Sequence, residues 1–181
     1  MATARAVVVL GAGSPATTDR LAEYLRSSFL VHTAYDGHEV EDSLDESVDV
    51  VLVGANLPEL RLHDLYAQRR REDRYFQVGV RTDATETPQW VDATIDRDAE
   101  RAELARVVRW LATRATYRRK LDTFYDLASR HASLDRESAD PSALEARLDQ
   151  LRTEIDETVA ELDDESLFEV ALDGYENDEQ E

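Results

Sequence analysis

Short runs of apolar residues alternate with amphipathic stretches along residues 5–112. The apolar runs predict strands at 6–10, 30–34, 49–53, 77–81 and 92–95. The amphipathic stretches predict helices at 16–27, 37–45, 61–71, 86–90 and 99–114. Alternation of this kind is typical of an α/β domain with a mainly parallel sheet. The pattern therefore predicts a flavodoxin-like, five-stranded parallel sheet, in which ligands bind beyond the carboxyl ends of the strands.

Residues 113–173 show helical periodicity alone, which predicts a C-terminal helical hairpin turning near residue 137. Asp140 followed by Pro141 predicts a helix start, because aspartate caps helices and proline suits the first helical position. An apolar residue recurs at every third or fourth position of this helix, in a narrow stripe typical of a coiled-coil seam. The candidate interface residues on this stripe are Leu144, Leu148, Leu151 and Ile155. The acidic tail, residues 174–181, is predicted to be disordered.

The charge of the chain is strongly biased. The formal net charge is −19, and Lys120 is the only lysine among 21 basic residues. An acidic surface with few lysines is typical of proteins that work at molar salt, where screening over about 3 Å makes such charge density tolerable. We therefore interpret most of the acidity as halophilic adaptation rather than as a binding function.

Composition and spacing also argue against several function classes. The chain has no cysteine, which excludes disulfides and thiolate chemistry. Its four histidines are scattered without ligand spacing, so we predict no metal site and no cofactor. No serine lies in a motif that would make it a nucleophile, and the expectation is that the protein is not an enzyme. No apolar run approaches the roughly 20 residues of a membrane span, which predicts a cytoplasmic protein.

Two loop motifs carry a resemblance to a known family. Ala34-Tyr35-Asp36-Gly37 follows the second predicted strand, and Asn56-Leu57-Pro58 follows the third. Together with the order of elements, they resemble the receiver domain of two-component response regulators, over residues 5–112. The resemblance implies a magnesium-binding acidic pair after the first strand and a phosphate-accepting aspartate at the end of the third.

The receiver positions that would carry this chemistry are degenerate here. Gly11 and Ala12 stand where the family has its acidic pair, and Gly54 stands where it has the phosphoacceptor. Thr82 matches the family's hydroxyl residue, whereas Arg97 replaces its lysine. The resemblance therefore implies a pseudo-receiver that keeps the architecture but cannot be phosphorylated.

A second resemblance covers the helical region, roughly residues 100–173. It rests on the segment that begins at Tyr117, the leucines of the seam, the acids Asp163 and Asp164, and the pair Leu167-Phe168. These features resemble the HalX domain, which follows receiver domains in haloarchaeal regulators. The likeness agrees with the halophilic composition.

The loop after the first strand has a rival interpretation. Residues Gly11–Ala16 have the form G-x-G-x-x-A, the fingerprint of a dinucleotide-binding turn. Glycines in such a turn let backbone amides approach a pyrophosphate at a helix N-terminus. Asp36 after the second strand would be the acidic partner of the ribose. Nucleotide or dinucleotide binding by this loop is therefore the alternative function.

A basic stretch stands out within the acidic chain. It predicts either a surface for nucleic acid or an acidic partner, or ion pairs with the acidic residues of the following helix. We favour the second interpretation, because a net charge of −19 opposes DNA binding. The candidate basic patch consists of Arg114, Arg118, Arg119 and Lys120.

The sequence thus predicts a phosphorylation-independent signalling protein, a pseudo-receiver coupled to a helical output or dimerisation module. Transcriptional regulation is one expected role of this signalling protein. The expected partner is another protein, either a second copy of the chain or another regulator, with DNA contact less favoured and no membrane association.

Overall fold

The structure is a computed structural model that describes residues 5–71, 74–133 and 141–162. Five parallel strands form one sheet, in the order β2-β1-β3-β4-β5. This order confirms the predicted flavodoxin-like fold. The strands are β1 (Val7–Gly11), β2 (Leu30–Thr33), β3 (Val48–Gly54), β4 (Gln77–Arg81) and β5 (Ala93–Ile95).

Helices cover both faces of the sheet and continue beyond it. They are α1 (Pro15–Leu25), α2 (Gly37–Asp42), α3 (Leu62–Arg71), α4 (Arg101–Ser133) and α5 (Pro141–Leu162). Two of them begin at side-chain caps, which satisfy amides that the first turn leaves unbonded. The Ser14 hydroxyl accepts from the Thr17 amide at the start of α1. The Asp36 carboxylate accepts from the Glu39 amide at the start of α2.

The core divides into two layers because successive residues of a strand face opposite sides of the sheet. From β3, Val50 and Leu52 pack with α1 and α4, while Val51 and Val53 pack with α2 and α3. Helical spacing from Leu21 predicts that Ser28 faces inward as well, but Ser28 is exposed. It lies beyond the end of α1 at Leu25, where the helical periodicity no longer applies.

The predicted helix at 86–90 is wrong. The segment between β4 and β5 is irregular and contains only a turn in which the Val91 amide donates to the Pro88 carbonyl. Pro88 disfavours helical geometry at Thr87 and supplies no amide hydrogen. The Thr87 hydroxyl instead lies 2.9 Å from that of Thr94, on β5.

An ion pair, rather than a helix, connects α3 to the segment before β5. Arg69 Nη1 donates to Asp92 Oδ2 at 2.6 Å, and both side chains are largely buried. Arg69 Nη2 also donates to the Trp90 carbonyl, and Trp90 packs against Tyr66 with ring centroids 5.2 Å apart. The loop is thus held by charge and aromatic contact rather than by helical packing.

The last helix of the sheet layer is continuous with the helical region. The helix predicted at 99–114 carries an apolar stripe that continues toward Leu121, and the structure shows one unbroken helix of 33 residues, α4. α5 packs against its second half: His131 lies 3.4 Å from Glu145, and Lys120 donates to Thr158 at 3.0 Å. These pairs confirm an antiparallel hairpin. The predicted turn near 137, the Asp140 cap, a short helix predicted after Asp163-Asp164 and the tail lie outside the described residues.

Candidate functional site

The degenerate receiver positions come together at the carboxyl edge of the sheet, as parallel strands require. Gly11 ends β1, Gly54 ends β3, and Thr82 directly follows β4. Ala12 and Arg97 lie in the loops after β1 and β5. A cleft of about 350 Å³ opens here, lined by Gly54 and Arg97 among others.

The end of β3 has little room for a side chain. A Cβ atom at Gly54 would lie 3.0 Å from the Gly13 amide nitrogen and 3.5 Å from the Cα atom of Ala12. These neighbours are backbone atoms, which cannot rotate away as a side chain does. A side chain at 54 would therefore require the loop after β1 to shift by a few tenths of an ångström.

Thr82 is buried and participates in the local turn. Its hydroxyl accepts from the Ala84 amide at 3.0 Å, and its amide donates to the Ile95 carbonyl. These bonds tie the end of β4 to β5 and to the following loop. The threonine therefore has a structural role in addition to its match with the receiver hydroxyl position.

Two arginines that the sequence did not single out also line the cleft. Arg20 comes from the second turn of α1, and Arg81 ends β4. With Arg97 they place three guanidinium groups around the cleft. Asp98 also lines the cleft, and Asp83, which lines an adjoining pocket, pairs with Arg97 at 3.1 Å. The residues around the cleft thus carry a small excess of positive charge.

Arg81 is the most enclosed of the three. Its Nη2 donates to the Arg97 carbonyl, and its Nε is buried without a hydrogen-bond partner among the described residues. Burial lowers the pKa of Arg81, and the charges of Arg20 and Arg97 lower it further. An arginine stays protonated in spite of such a shift. The repulsion of Arg81 by Arg20 and Arg97 therefore costs free energy in the folded protein.

The G-x-G-x-x-A loop is held by its own side chains. The Ala12 amide donates to the Thr18 hydroxyl at 2.9 Å, and Ser14 caps α1. Asp36, the candidate ribose partner, is the cap of α2. The loop nevertheless borders the cleft through Gly13 and Ser14.

The candidate interface residues lie along the face of α5 that meets α4. Leu151 is buried, with 2 % of its surface exposed, whereas Leu144, Leu148 and Ile155 are half-buried. The stripe therefore packs within the chain and keeps partly open edges. Tyr125 of α4 is 61 % exposed on the same hairpin.

The four residues of the candidate basic patch have different surroundings. Arg119 Nη2 donates to the carboxylate of Asp49, on β3, at 2.9 Å. Lys120 donates to the Glu154 carbonyl and to the Thr158 hydroxyl. Arg114 lies over the ring of Trp110, 4.6 Å from its centroid, and burial lowers the pKa of its guanidinium.

Arg118, the remaining member, is exposed. The expected partners of this stretch on α5 included Asp156, Glu157 and Glu161, which are all exposed. The described polar contacts of Arg119 and Lys120 go instead to β3 and to uncharged oxygens of α5. Asp163 and Asp164, also expected as partners, lie outside the described residues.

None of the described helices is long and apolar enough to cross a membrane. Within the same residues, no three histidine, aspartate or glutamate side chains are grouped so that they could hold a metal ion.

Comparisons with known proteins agree with this architecture. Residues 113–172 match the family model of the HalX domain. The signal receiver domain of an HD domain-containing protein from Pseudomonas fluorescens superposes with a TM-score of 0.55 at 17% identity, covering 66% of this chain and 96% of that one. The chain thus joins a domain with the receiver fold to a region that matches the HalX model.

Two longer matches extend over both parts of this receiver–HalX chain. Full-length FixJ from B. japonicum superposes with a TM-score of 0.55 at 16% identity, covering 95% of this chain and 98% of that one. A proposed transcriptional regulator of Haloferax volcanii is 30% identical over 139 residues, which are 70% of this chain. The match spans only 24% of that relative's length.

Proposed function

We propose that this receiver–HalX protein is a regulatory protein that acts without phosphorylation. The observation that carries the proposal is Gly54, which stands at the phosphoacceptor position without a carboxylate. A glycine has no atom that can form an acyl phosphate. The proposal concerns this chain alone, since the match spans only 24% of its H. volcanii relative.

The surroundings of Gly54 support the same conclusion. Magnesium binds through carboxylate and other oxygen ligands, and the positions of the family's acidic pair are Gly11 and Ala12. The cleft instead carries Arg20, Arg81 and Arg97. Positive charge at this place disfavours a divalent cation.

A regulatory signal would pass from the sheet to the hairpin through α4, which belongs to both parts of the chain. Its first half packs under the sheet through Leu104, Val108 and Leu111, and its second half forms the hairpin with α5. The pair of Arg119 with Asp49 adds a polar link between the hairpin end of α4 and β3. A change at the sheet would therefore reach the hairpin without crossing a flexible linker.

We further propose that the hairpin is the surface for a protein partner, either a second copy or another regulator. The partly open seam and the exposed ring of Tyr125 support this role. The similarity to the H. volcanii regulator supports transcriptional regulation as the process in which such a partner would act. Direct DNA binding by the basic patch is disfavoured, because Arg119 and Lys120 are engaged within the chain.

Hydrogen–deuterium exchange at molar KCl tests both halves of the proposal. Beryllofluoride with magnesium, which mimics a phosphoryl group on receivers, should leave the exchange of α4 and α5 unchanged, while a receiver with an intact acidic pocket serves as the positive control. Asp49→Asn, which weakens the link to Arg119, should increase exchange in the second half of α4. A change in exchange with beryllofluoride that inorganic phosphate does not also produce would contradict phosphorylation independence. Unchanged exchange in the Asp49→Asn variant would show that the Arg119–Asp49 pair does not transmit the signal.

A further inference from the structure

The cleft at the carboxyl edge of the sheet collects positive charge in a chain that otherwise carries a large negative excess. Arg20, Arg81 and Arg97 come from three separate elements, α1, β4 and the loop after β5. Elsewhere, the arginines Arg69 and Arg119 are matched by buried or half-buried carboxylates. The convergence of three guanidinium groups is therefore not explained by composition.

The hydrogen-bonding capacity of these arginines is incompletely used. Arg81 Nε is buried without an acceptor among the described residues. Within the same part of the chain, Arg20 has no described ion pair, and the pairing of Arg97 with Asp83 is exposed to solvent. An unpaired buried donor costs free energy that an acceptor would recover. Guanidinium forks match the oxygens of a phosphate group in two parallel bonds.

The opposite wall of the cleft also suits an anion. α1 begins there with Ser14 and Thr17 on the lining, and its first turn contains no acidic residue. The amino end of a helix carries partial positive charge and unbonded amides. The cleft volume of about 350 Å³ lies at the lower end of the range for small-molecule sites.

We propose that this cleft binds a small phosphate-bearing molecule, with Arg20, Arg81 and Arg97 contacting the phosphate oxygens. The anion would replace, as a noncovalent ligand, the phosphoryl group that Gly54 cannot accept. It would neutralise the converging guanidinium charges and cross-link α1, β4 and the loop after β5. The shared chemistry is a phosphate dianion, whether free or carried by a nucleotide.

Thermal unfolding and calorimetry with three probes test the proposal: inorganic phosphate, pyrophosphate and AMP, all without magnesium. KCl concentration and ionic strength are held constant, so that screening does not differ between samples. The wild-type protein should show a saturable rise in Tm with at least one probe. Equal responses to phosphate and AMP indicate a free phosphate, and a stronger response to AMP indicates a nucleotide.

Matched arginine variants connect the response to the cleft. Arg20→Gln removes an exposed guanidinium and should weaken binding about tenfold, the usual effect of losing one charge-assisted contact. Arg20→Gln combined with Arg97→Gln should abolish the response. Arg106→Gln, an exposed change of the same charge on α4 away from the cleft, should bind like the wild type.

The proposal is overturned if no probe gives a saturable response in the wild type, or if the double variant responds like Arg106→Gln. A response to a carboxylate such as citrate that equals or exceeds every phosphate response also overturns it, because the site would then not select phosphate. None of these results bears on phosphorylation independence, which is judged by covalent modification.

Discussion

Arg119 of α4 donates to the carboxylate of Asp49 at the amino-terminal part of β3, with Nη2 and Oδ1 2.9 Å apart. Asp49 is 7 % exposed, and its second oxygen accepts from the Val7 amide on β1. One buried carboxylate therefore joins two strands of the receiver-like domain to the residues that match HalX. The pair lies at the opposite edge of the sheet from the arginine-lined cleft.

Arg119→Gln should destabilise the protein by about 1–2 kcal/mol, because it leaves one oxygen of a buried carboxylate without its charged partner. The value lies in the lower part of the usual range, since the Arg119 side chain is partly exposed and water can reach the pair. Urea unfolding of the variant measures the loss. Arg118→Gln, an exposed neighbour, is the control and should change stability little. Equal losses in the two variants would show that the pair contributes nothing.

Arg69→Met should cost about 3 kcal/mol, because it leaves the Asp92 carboxylate buried without a countercharge. Asp92 would still accept from the Val78 amide, so the fold should survive. Adding Asp92→Asn removes the stranded charge and should restore much of the stability. Arg70→Met, an exposed change one residue along α3, should cost less than about 0.5 kcal/mol. Thermal and urea unfolding measure the loss of stability in each variant. Equal losses for Arg69→Met and Arg70→Met would contradict a stabilising role for the Arg69–Asp92 pair.

Leu151→Ala should cost about 2–4 kcal/mol of hairpin stability, since Leu151 is fully buried between α5 and α4. Trp90 and Trp110 lie in or against the two core layers of the sheet, so their fluorescence reports on the receiver-like domain. The variant should lower the midpoint seen by far-ultraviolet circular dichroism more than the midpoint seen by fluorescence. Leu148→Ala, at a half-buried position, is the milder control. Identical shifts in both signals would mean that the chain unfolds as one unit.

Stability should rise with KCl from tens of millimolar to about 2 M, because screening shortens the reach of repulsion between carboxylates. The exposed acids Asp156, Glu157 and Glu161 on α5 provide a variant, in which all three become the corresponding amides. The neutralised protein should be more stable than the wild type at low salt and should depend less on KCl. A wild-type melting temperature that stays flat over this range would contradict the halophilic interpretation of the charge.

The sequence predicted the sheet well because its three inner strands, β1, β3 and β4, are buried on both faces and read as largely apolar runs. Val50 to Val53, for example, form an apolar run that is fully buried, as expected for a central strand. The predicted helix at 86–90 failed because one proline and a buried ion pair, Arg69 with Asp92, determine that segment. Such a pair joins residues far apart in sequence, and no local pattern reveals it.

The site was predictable in position but not in charge. Family positions located Gly11, Gly54, Thr82 and Arg97 at one edge of the sheet. The sequence did not indicate that Arg81 belongs to the site, because it stands at the end of a strand. It did not indicate Arg20 either, because that residue lies on a helix with an ordinary amphipathic pattern. Only the fold brings these two arginines to the same cleft. A basic residue at the carboxyl end of a strand was the one available signal.

Intact-mass spectrometry under denaturing conditions, after incubation with acetyl phosphate and magnesium at molar KCl, tests the central claim most directly. Denaturation removes any phosphate held in the arginine-lined cleft, so that only covalent adducts remain. The wild-type protein should show no mass increase, and Gly54→Asp alone should show none, because the metal-binding carboxylates at 11 and 12 are also missing. A receiver with its acidic pocket intact should be modified in parallel. A covalent phosphoryl adduct on the wild-type chain, on Asp36, Asp49 or any other residue, would contradict the account.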